Sequence, residues 1–497
     1  MNLSKGSPMN KIYMLILFLI SACATAQSQH EFRSDKKTHV LESQIENLIK
    51  KSGLQKSTLG IVVNQLHNGV ATQVYENQEK RLMNPASLTK ILTAGASLHY
   101  FNMDKKFMTQ ILSDGERQGD TLRGSIYLKG GGDPSFTSES MWVIVNHFTR
   151  TGIKKIVGDI VVDDRLFDLL RYDPSRNPER VPRAYDAPVG AMSFNWNSIN
   201  VYVRPGEQKN QPAFVYIDPK SDYIELDSKV TTGAPGSGKS IRVLRTAKGI
   251  GKNLVQVRGQ IASDHEEAVI FRSITEPDYW SGEQLKSFLS QRGIVVSGEV
   301  RTGATPSGSL VLAELESKPI SLILTDMMKF SNNYVAEMLA KNMSVARGVV
   351  PGNLVAGVQA IGEYLNSIGL KHGEDYHIIN PSGLTRNNRI SASGLSRLLL
   401  AMKKDFRVYP EHLAAMPIGG VDGTLKKRFI SDQTRGWIRA KTGLLNDVVG
   451  LAGFAGNHDG GTFSFALIYN GAMKGRDQAK VLFDQIVERL VVSSDPG

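Results

Sequence analysis

Cysteine is nearly absent from this chain, since only Cys23 occurs among 497 residues. A disulfide needs two cysteines and a cysteine-based metal site needs several, so the sequence excludes both. Cys23 also lies in an N-terminal segment with targeting character, and we therefore exclude thiolate catalysis by the mature protein. The fold must rely on a hydrophobic core, which a chain of this length can bury.

Long runs of like charge are also missing. The chain has 59 Lys and Arg against 48 Asp and Glu, a formal net charge of +11, without a block of five like charges. We therefore expect no nucleic-acid partner. The ten histidines show no ligand spacing, and we expect no metal and no organic cofactor. A hydrophobic content of 41% excludes a disordered or fibrous chain.

Apolar runs are short, and the run Ile12–Ile20 has about nine residues where a membrane-spanning helix needs about 20. Two lysines precede it, and residues 1–26 are typical of a secretory signal. Two outcomes stay open. The signal is cleaved after Ala24-Thr25-Ala26, or Ile20-Ser21-Ala22-Cys23 acts as a lipobox. We expect an exported protein that meets the membrane only through a lipid anchor at Cys23.

Helices and antiparallel strands are predicted at both ends of the chain. Alternating apolar runs at Leu59–Asn64 and Val70–Tyr75 flank His67-Asn68-Gly69, which is typical of a hairpin. Three more strands are predicted between Trp437 and Tyr469, followed by a helix from about Arg476 to Val491. The sequence therefore predicts an α/β (α+β) fold with an antiparallel sheet flanked by helices.

The middle of the chain has a different character, with many Gly and Asp residues and short alternating strands. We predict an inserted, mainly β region with a smaller unit of hairpins nested inside it. The expected boundaries are a signal at 1–26, a discontinuous main domain at 27–102 and 302–497, an inserted domain at 103–204 and 262–301, and a nested β domain at 205–261.

A serine and a lysine lie one helical turn apart in Asn84-Pro85-Ala86-Ser87-Leu88-Thr89-Lys90. Asn is a good helix N-cap and Pro suits the first helical position, so Ser87 falls in the first turn with Lys90 on the same face. A serine hydroxyl needs a base to act as a nucleophile, and a lysine becomes a base when burial lowers its pKa. Alone, such a pair is more often a solvated surface pair.

Two further motifs lie far along the chain. Ser331-Asn332-Asn333 joins two predicted helices, where a cap or turn is the ordinary explanation. Lys441-Thr442-Gly443 lies in a predicted strand, where Lys441 would bind a carboxylate and Gly443 would let an extended substrate approach. An exposed edge-strand lysine that prevents aggregation is the alternative.

The segment Gly233–Ser240 matches the phosphate-loop pattern letter for letter. That motif needs a helix after it, and Ile241–Arg245 alternates like a strand. We interpret the segment as a glycine-rich turn and do not expect nucleotide binding.

The three motifs together, in this order, resemble those of the penicillin-recognising serine enzymes. The separation of Ser87 from Ser331 is 331 − 87 = 244 residues, and an insertion of this size resembles the low-molecular-mass class C penicillin-binding proteins, the S13 family of D-Ala-D-Ala carboxypeptidases and endopeptidases. Further segments resemble that family, namely Tyr127–Pro134, Ala187–Asn195 and Ser382–Arg389. The resemblance implies a β-lactamase/transpeptidase-like fold and a periplasmic enzyme.

The resemblance also implies roles for individual residues. Ser87 would attack the carbonyl of the penultimate D-Ala of a peptidoglycan stem peptide, Lys90 would take its proton, and Ser331 would pass a proton to the leaving amine. Asn333, Lys441, Thr442, Gly443 and Leu444 would bind the substrate, and β-lactams would acylate Ser87. Leu444 departs from the family, which usually has a hydroxyl residue at this position.

Several expectations stay open. Arg386, Asp163 and Asp164 are candidates for binding the charged stem peptide, with surface ion pairs as the alternative. The sequence does not distinguish carboxypeptidase from endopeptidase activity, and it does not determine the oligomeric state. A β-lactamase and a non-catalytic wall-binding scaffold remain as alternative functions.

Overall fold

The computed structural model describes residues 39–67, 69–176 and 182–493. The predicted signal and lipobox, and Asn68 of the hairpin turn, lie outside these residues. The helices, numbered along the chain, are α1 (39–52), α2 (Thr89–Tyr100), α3 (Ser138–Thr149), α4 (Pro277–Gln291), α5 (Ile320–Lys329), α6 (Asn333–Ala346), α7 (Leu354–Ser367), α8 (Ala392–Lys404), α9 (Tyr409–Ala415) and α10 (Arg476–Val492).

The strands are numbered in the same way. They are β1 (Leu59–His67), β2 (Val70–Asn77), β3 (Met108–Ser113), β4 (Glu116–Gln118), β5 (Thr121–Arg123), β6 (Ile126–Lys129), β7 (Lys155–Val157), β8 (Ile160–Asp163), β9 (Ser198–Arg204), β10 (Phe214–Asp218), β11 (Ile224–Gly233), β12 (Arg242–Ala247), β13 (Asn253–Ala262), β14 (Ala268–Ser273), β15 (Val295–Val296), β16 (Val300–Thr302), β17 (Leu310–Glu316), β18 (Tyr376–His377), β19 (Arg389–Ile390), β20 (Ile438–Leu445), β21 (Val448–Gly456) and β22 (Thr462–Asn470).

The main sheet combines both ends of the chain in the order β2-β1-β22-β21-β20, and every pair is antiparallel. β21 and β22 are buried along almost their whole length, because helices cover both faces of the sheet. The predicted α/β (α+β) class, with an antiparallel sheet between helices, is confirmed.

Two hydrophobic cores lie on opposite faces of this sheet. On one face, Ile45 of α1 and Phe483 of α10 pack against strand residues such as Phe465. On the other face, the helical half of the domain contributes the core around α2, α6 and α8. The alternation of side chains along the strands sends neighbouring residues into different cores. α2 is therefore fixed between the sheet and the other helices.

β20 is the edge strand of the sheet. Apart from an isolated bridge between Ile418 and Arg439, it pairs with β21 alone among the described residues. The turn at Ala86–Leu88 that leads into α2 packs against β20 and β21. An edge strand with unpaired backbone groups can accept an added strand.

The inserted region has its own core, built on a five-stranded sheet in the order β16-β8-β6-β3-β17 and on smaller sheets. β17 pairs with β3, with Ala313 opposite Ile111. Residues up to Glu316 therefore belong to the inserted sheet, although the sequence assigns 302 onward to the main domain. Strand pairing decides this boundary, and we move the proposed start of the second part of the main domain to residue 317.

The nested unit also differs from its prediction in detail. β11 and β13 pair in parallel, with β12 antiparallel to β13, so this unit is not a set of hairpins. β10 leaves it and pairs with β9 instead. The glycine-rich turn at 233–240 leads into strand β12 rather than a helix, which agrees with our interpretation of that segment.

Within the described ranges, we find no helix that is long and apolar enough to span a membrane.

Candidate active site

Ser87 lies in a tight turn at the start of α2. The side-chain oxygen of Asn84 accepts a hydrogen bond from the backbone N–H of Ala86 at 2.8 Å. Ala86 has a φ of +47°, and the chain makes a 3₁₀ turn over Ala86–Leu88 before α2 begins at Thr89. The sequence predicts an earlier start, but a positive φ at a residue with a β-carbon interrupts a regular helix. The half-buried hydroxyl of Ser87 thus stands at the positive end of the α2 dipole.

Two glycines let the backbone pack directly on this turn. A β-carbon at Gly443 of β20 would lie 2.7 Å from the carbonyl oxygen of Pro85. A β-carbon at Gly383 would lie 2.0 Å from the carbonyl oxygen of Ala86. The sequence predicts that Gly443 admits a substrate backbone, and in the structure its close neighbour is the turn that carries Ser87.

Lys90 is completely buried, with 0% of its surface exposed. Its Nζ lies 3.2 Å from Ser87 Oγ, 2.6 Å from Asn333 Oδ1 and 2.6 Å from the carbonyl oxygen of Ser382. Burial lowers the pKa of Lys90 well below its usual value of 10.5, and the nearby charge of Lys441 lowers it further. The amine is therefore poised to act as a base toward Ser87.

Ser331 and Lys441 form a second contact on the opposite side of the site. Lys441 Nζ donates to Ser331 Oγ at 2.8 Å and to the carbonyl oxygen of Thr442 at 2.9 Å. Burial lowers the pKa of Lys441 to about 7. Ser331 has a φ of +56° and precedes α6, whose N-cap is Asn332. In the motif Ser331-Asn332-Asn333, the middle residue is thus a helix N-cap. Ser331 contacts Lys441 and Asn333 contacts Lys90.

Asn333 joins the site to the inserted region. Its Oδ1 accepts from Lys90, and its Nδ2 donates to the carbonyl oxygen of Tyr185 at 2.9 Å. The resemblance predicts that this amide binds the substrate, whereas here it first holds Lys90. A carboxamide nitrogen carries a second N–H, so the substrate contact stays a proposal.

The predicted residues therefore fall into two groups. Five of them converge at one place: Lys90 contacts Ser87 and Asn333, Lys441 contacts Ser331, and the charge of Lys441 acts on Lys90. The edge residues Thr442, Gly443 and Leu444 border it. Thr442 Oγ1 donates to Thr424 Oγ1 at 2.8 Å, and Leu444 is 59% exposed on the rim.

The stem-peptide candidates lie further out. Arg386 is exposed, forms an ion pair with Asp447, and lines a cavity of about 320 Å³ that adjoins the end of β20 at Leu445. Asp163 and Asp164 are buried outside this cavity. They form ion pairs with Arg165 and Arg171.

Two features of the site escape prediction from residue patterns. The hydrogen bond from Lys90 to the carbonyl oxygen of Ser382 involves a backbone atom, which every residue type has. Glu337, which is completely buried, forms an ion pair with the almost completely buried Arg176. Both charges act on Lys90. One signal was available, because Glu337 follows Asn333 by four residues and so shares its helix face.

The contact at Gly383 leads to a prediction. Gly383→Ala should lower stability and slow acylation of Ser87, because φ is +81° and the new β-carbon would strike Ala86. The left-handed conformation alone costs about 1–2 kcal/mol. Gly373→Ala is the matched control, since φ is +82° there and no atom lies within 4 Å of the new β-carbon. Thermal melting and penicillin acylation rates should separate the two variants. Equal losses would contradict the role of the Gly383 contact.

In the described part of the chain, no cluster of three His, Cys, Asp or Glu side chains could hold a metal ion. The sheet, the helices and the serine–lysine pair define a serine-type peptidase. More narrowly, the model of the D-Ala-D-Ala carboxypeptidase 3 (S13) family matches residues 41–491, and the chain belongs to that family.

Comparison with individual proteins agrees with this assignment. The chain is 29% identical over 447 residues to the D-alanyl-D-alanine carboxypeptidase of Actinomadura sp. (strain R39), covering 87% of this chain and 81% of the relative. The crystal structure of penicillin binding protein 4 from Haemophilus influenzae superposes with a TM-score of 0.73 at 23% identity, covering 89% of this chain and 99% of that one. The same protein complexed with a novel β-lactam gives a TM-score of 0.69 at 23% identity, covering 90% and 98%.

Proposed function

We propose that this protein cleaves peptidoglycan stem peptides as a serine-type D-Ala-D-Ala carboxypeptidase, DD-endopeptidase or both, through an acyl-enzyme on Ser87. The observation that carries the proposal is the 3.2 Å contact between Ser87 Oγ and the completely buried Nζ of Lys90. A desolvated amine next to a serine hydroxyl is what nucleophilic catalysis by serine needs. The family membership and the carboxypeptidase relative support the same reaction.

Acylation begins when the neutral amine of Lys90 takes the proton of Ser87. The serine oxygen then forms a bond to the carbonyl carbon of the penultimate D-Ala. Charge develops on the carbonyl oxygen, and the backbone N–H groups of Ser87 and Leu444 stabilise it. Loss of one such donor typically costs about 2.7–4 kcal/mol of transition-state stabilisation.

The leaving group needs a proton when the peptide bond breaks. Ser331 relays to the departing amine the proton that Lys90 took from Ser87, so Lys90 is neutral again, and Lys441 is the hydrogen-bond partner of Ser331 at 2.8 Å. Lys441, in its protonated form, and Thr442 bind the terminal carboxylate of the substrate. Water then attacks the ester, and Ser87 regains its proton as the acyl group leaves.

The substrate backbone adds to the free edge of β20, and its side chains reach toward the cavity lined by Arg386. Strand addition supplies affinity through main-chain hydrogen bonds. We propose that Arg386 exchanges its partner Asp447 for a carboxylate of the stem peptide. Asp163 and Asp164 receive no such role, because both are buried and neither lines this cavity.

We also propose that the protein works outside the cytoplasm, at the periplasmic cell wall, where its substrate lies. A lipid anchor at Cys23 remains an expectation from the sequence. β-Lactams mimic the substrate terminus and acylate Ser87, and the complex of the Haemophilus influenzae protein with a β-lactam supports the binding of such compounds.

The test combines a fluorescent penicillin with defined cross-linked and uncross-linked muropeptides. We expect a long-lived adduct on the peptide that contains Ser87, located by mass spectrometry, and cleavage of at least one muropeptide class. Fast turnover of the drug without muropeptide cleavage would indicate a β-lactamase. A folded protein that neither binds penicillin nor cleaves muropeptides would indicate a scaffold and would refute the proposal.

A further inference from the structure

Helix α6 presents three buried polar side chains, one turn apart, to the inserted region. They are Asn333, Glu337 and Lys341. All three contact a stretch of the insertion that we call the contact segment, residues 168–176 and 182–187. The partners are the carbonyl oxygen of Tyr185, the guanidinium of Arg176 and Oδ1 of Asp168. The helix that carries part of the active site is thus fastened along one face to the insertion.

The central contact is a buried ion pair between Glu337 and Arg176. Glu337 is completely buried, and the Arg176 side chain is 4% exposed. Burying two charges has a large desolvation cost, so such a pair is weak evidence for stability alone. Glu337 Oε1 also accepts hydrogen bonds from Arg176 Nε at 3.2 Å, from Ser382 Oγ at 3.1 Å and from Asn380 Nδ2 at 3.2 Å. The carboxylate therefore organises groups beyond its arginine partner.

These bonds hold the loop of residues 380–384 in place. Asn380 Oδ1 accepts from the backbone N–H groups of Ser382 and Gly383 at 2.9 and 2.8 Å, and Asn380 Nδ2 donates to Asp173 Oδ2 at 2.7 Å. Ser382 is thus fixed through its hydroxyl, which lies 3.1 Å from Glu337 Oε1 and 2.7 Å from Asn380 Oδ1, and through its N–H, which donates to Asn380. Its carbonyl oxygen then meets Lys90 Nζ at 2.6 Å.

The orientation of the Lys90 amine depends on this carbonyl. A neutral amine has two N–H groups and one lone pair. The two short contacts, to Asn333 Oδ1 and to the Ser382 carbonyl, match the two N–H groups. The lone pair is left for the Ser87 hydroxyl, which is the direction a base requires. If the carbonyl moved, an N–H would turn toward Ser87 and the lone pair would turn away.

We propose that Glu337 is a positioning residue of the acyl-transfer centre, which, paired with Arg176, fixes Ser382 and thereby aims the amine of Lys90 at Ser87. The proposal rests on the proposed function. It makes Arg176 a supporting residue of this centre, although Arg176 does not touch the reacting atoms.

The charges around Lys90 predict a second effect. The charged groups acting on its amine are Lys441 from β20, Glu337 from α6 and Arg176 from the contact segment. Besides burial, Lys441 and Arg176 lower the pKa of Lys90, whereas Glu337 raises it. Removing the carboxylate alone leaves two positive charges and lowers this pKa further. Acylation needs the neutral amine of Lys90, so its rate falls at low pH. This falling part of the pH profile, the acid limb, then shifts to lower pH.

Glu337→Gln is the test variant, and Asp168→Asn is its matched control. Both replace the acid of an ion pair between α6 and the contact segment with the isosteric amide, but no hydrogen bond links Asp168 to Ser382. We expect the acylation rate constant of Glu337→Gln toward a fluorescent penicillin to fall about 10²-fold, the typical effect of a small misplacement. Its non-covalent penicillin affinity should stay unchanged and its acid limb should move to lower pH. Asp168→Asn should keep the wild-type rate and limb.

Two more variants secure the result. Arg176→Lys keeps the counter-charge, so its acid limb should stay near that of the wild type. Ser382→Ala removes the hydroxyl that lies between Glu337 and Asn380, and its acylation rate should fall. This variant tests the proposal where Glu337→Gln does not fold. A folded Glu337→Gln with wild-type rate and limb would overturn the proposal, as would an unchanged rate in Ser382→Ala. Failure of the proposed function looks different, because wild-type Ser87 would then not be acylated.

Discussion

Ser87→Ala should abolish cleavage of muropeptides and covalent penicillin binding. The change removes the nucleophilic oxygen and leaves the buried Lys90 amine without a proton to accept. In a serine protease with a Ser-His-Asp triad, losing the nucleophile lowers kcat on the order of 10⁶-fold, and we expect a loss of that order here. Product release from defined muropeptides, followed by mass spectrometry, measures the loss. Alanine fits the half-buried site at the start of α2, so the melting temperature should change little.

Ser290→Ala is the control for this experiment. Ser290 is an exposed serine on α4 in the inserted region, and its loss should change neither activity nor melting temperature. Substantial cleavage by a folded Ser87→Ala protein would end the acyl-enzyme hypothesis.

Lys90→Met should cause a loss of comparable size. Methionine fills a similar volume without a basic nitrogen, so the Ser87 hydroxyl keeps its proton. Residues that act as one catalytic unit are not additive. The double variant Ser87→Ala/Lys90→Met should therefore be no less active than Ser87→Ala alone. Single-turnover measurements on the three variants give the comparison. A double variant much weaker than either single variant would mean that the two residues act independently.

Lys90→Met should also change how the stability of the protein depends on pH. Burial lowers the pKa of Lys90 well below 10.5, so the folded state binds this proton less readily than the unfolded state does. Wild-type stability therefore rises with pH from the lowered pKa up to about 10.5, because the unfolded chain holds more protons in that interval. Lys90→Met removes this contribution. Melting curves across this pH interval should be flatter for the variant, and an unchanged slope would contradict the deprotonated amine.

The sequence allowed prediction of the main sheet and of the residues that converge in the site. Both ends of the chain carry clear strand alternation, and the serine and lysine of Ser87-x-x-Lys90 share a helix face by periodicity alone. The distant partners Asn333 and Lys441 came from a resemblance, since no periodicity links positions hundreds of residues apart.

Other features depend on contacts that residue types do not encode. β17 alternates like any strand, and only its pairing with β3 assigns it to the insertion. The parallel pairing of β11 with β13 likewise cannot be predicted from the residue pattern. At the site, the positive φ of Ala86 and the carbonyl of Ser382 are backbone properties imposed by the surrounding fold.

The position of β22 between β1 and β21 has a consequence for how the enzyme matures. β1 has no neighbour on that side until the last fifth of the chain is made, as shown by the contact from Asn64 to Ser464 across 400 residues. Contacts so distant along the chain form late during synthesis from the N-terminus. The nucleophile emerges early, but Lys441 and the edge strand arrive only near the end. We therefore expect unfinished chains to lack the proposed centre, and acylating activity to occur only in molecules whose synthesis and folding are complete.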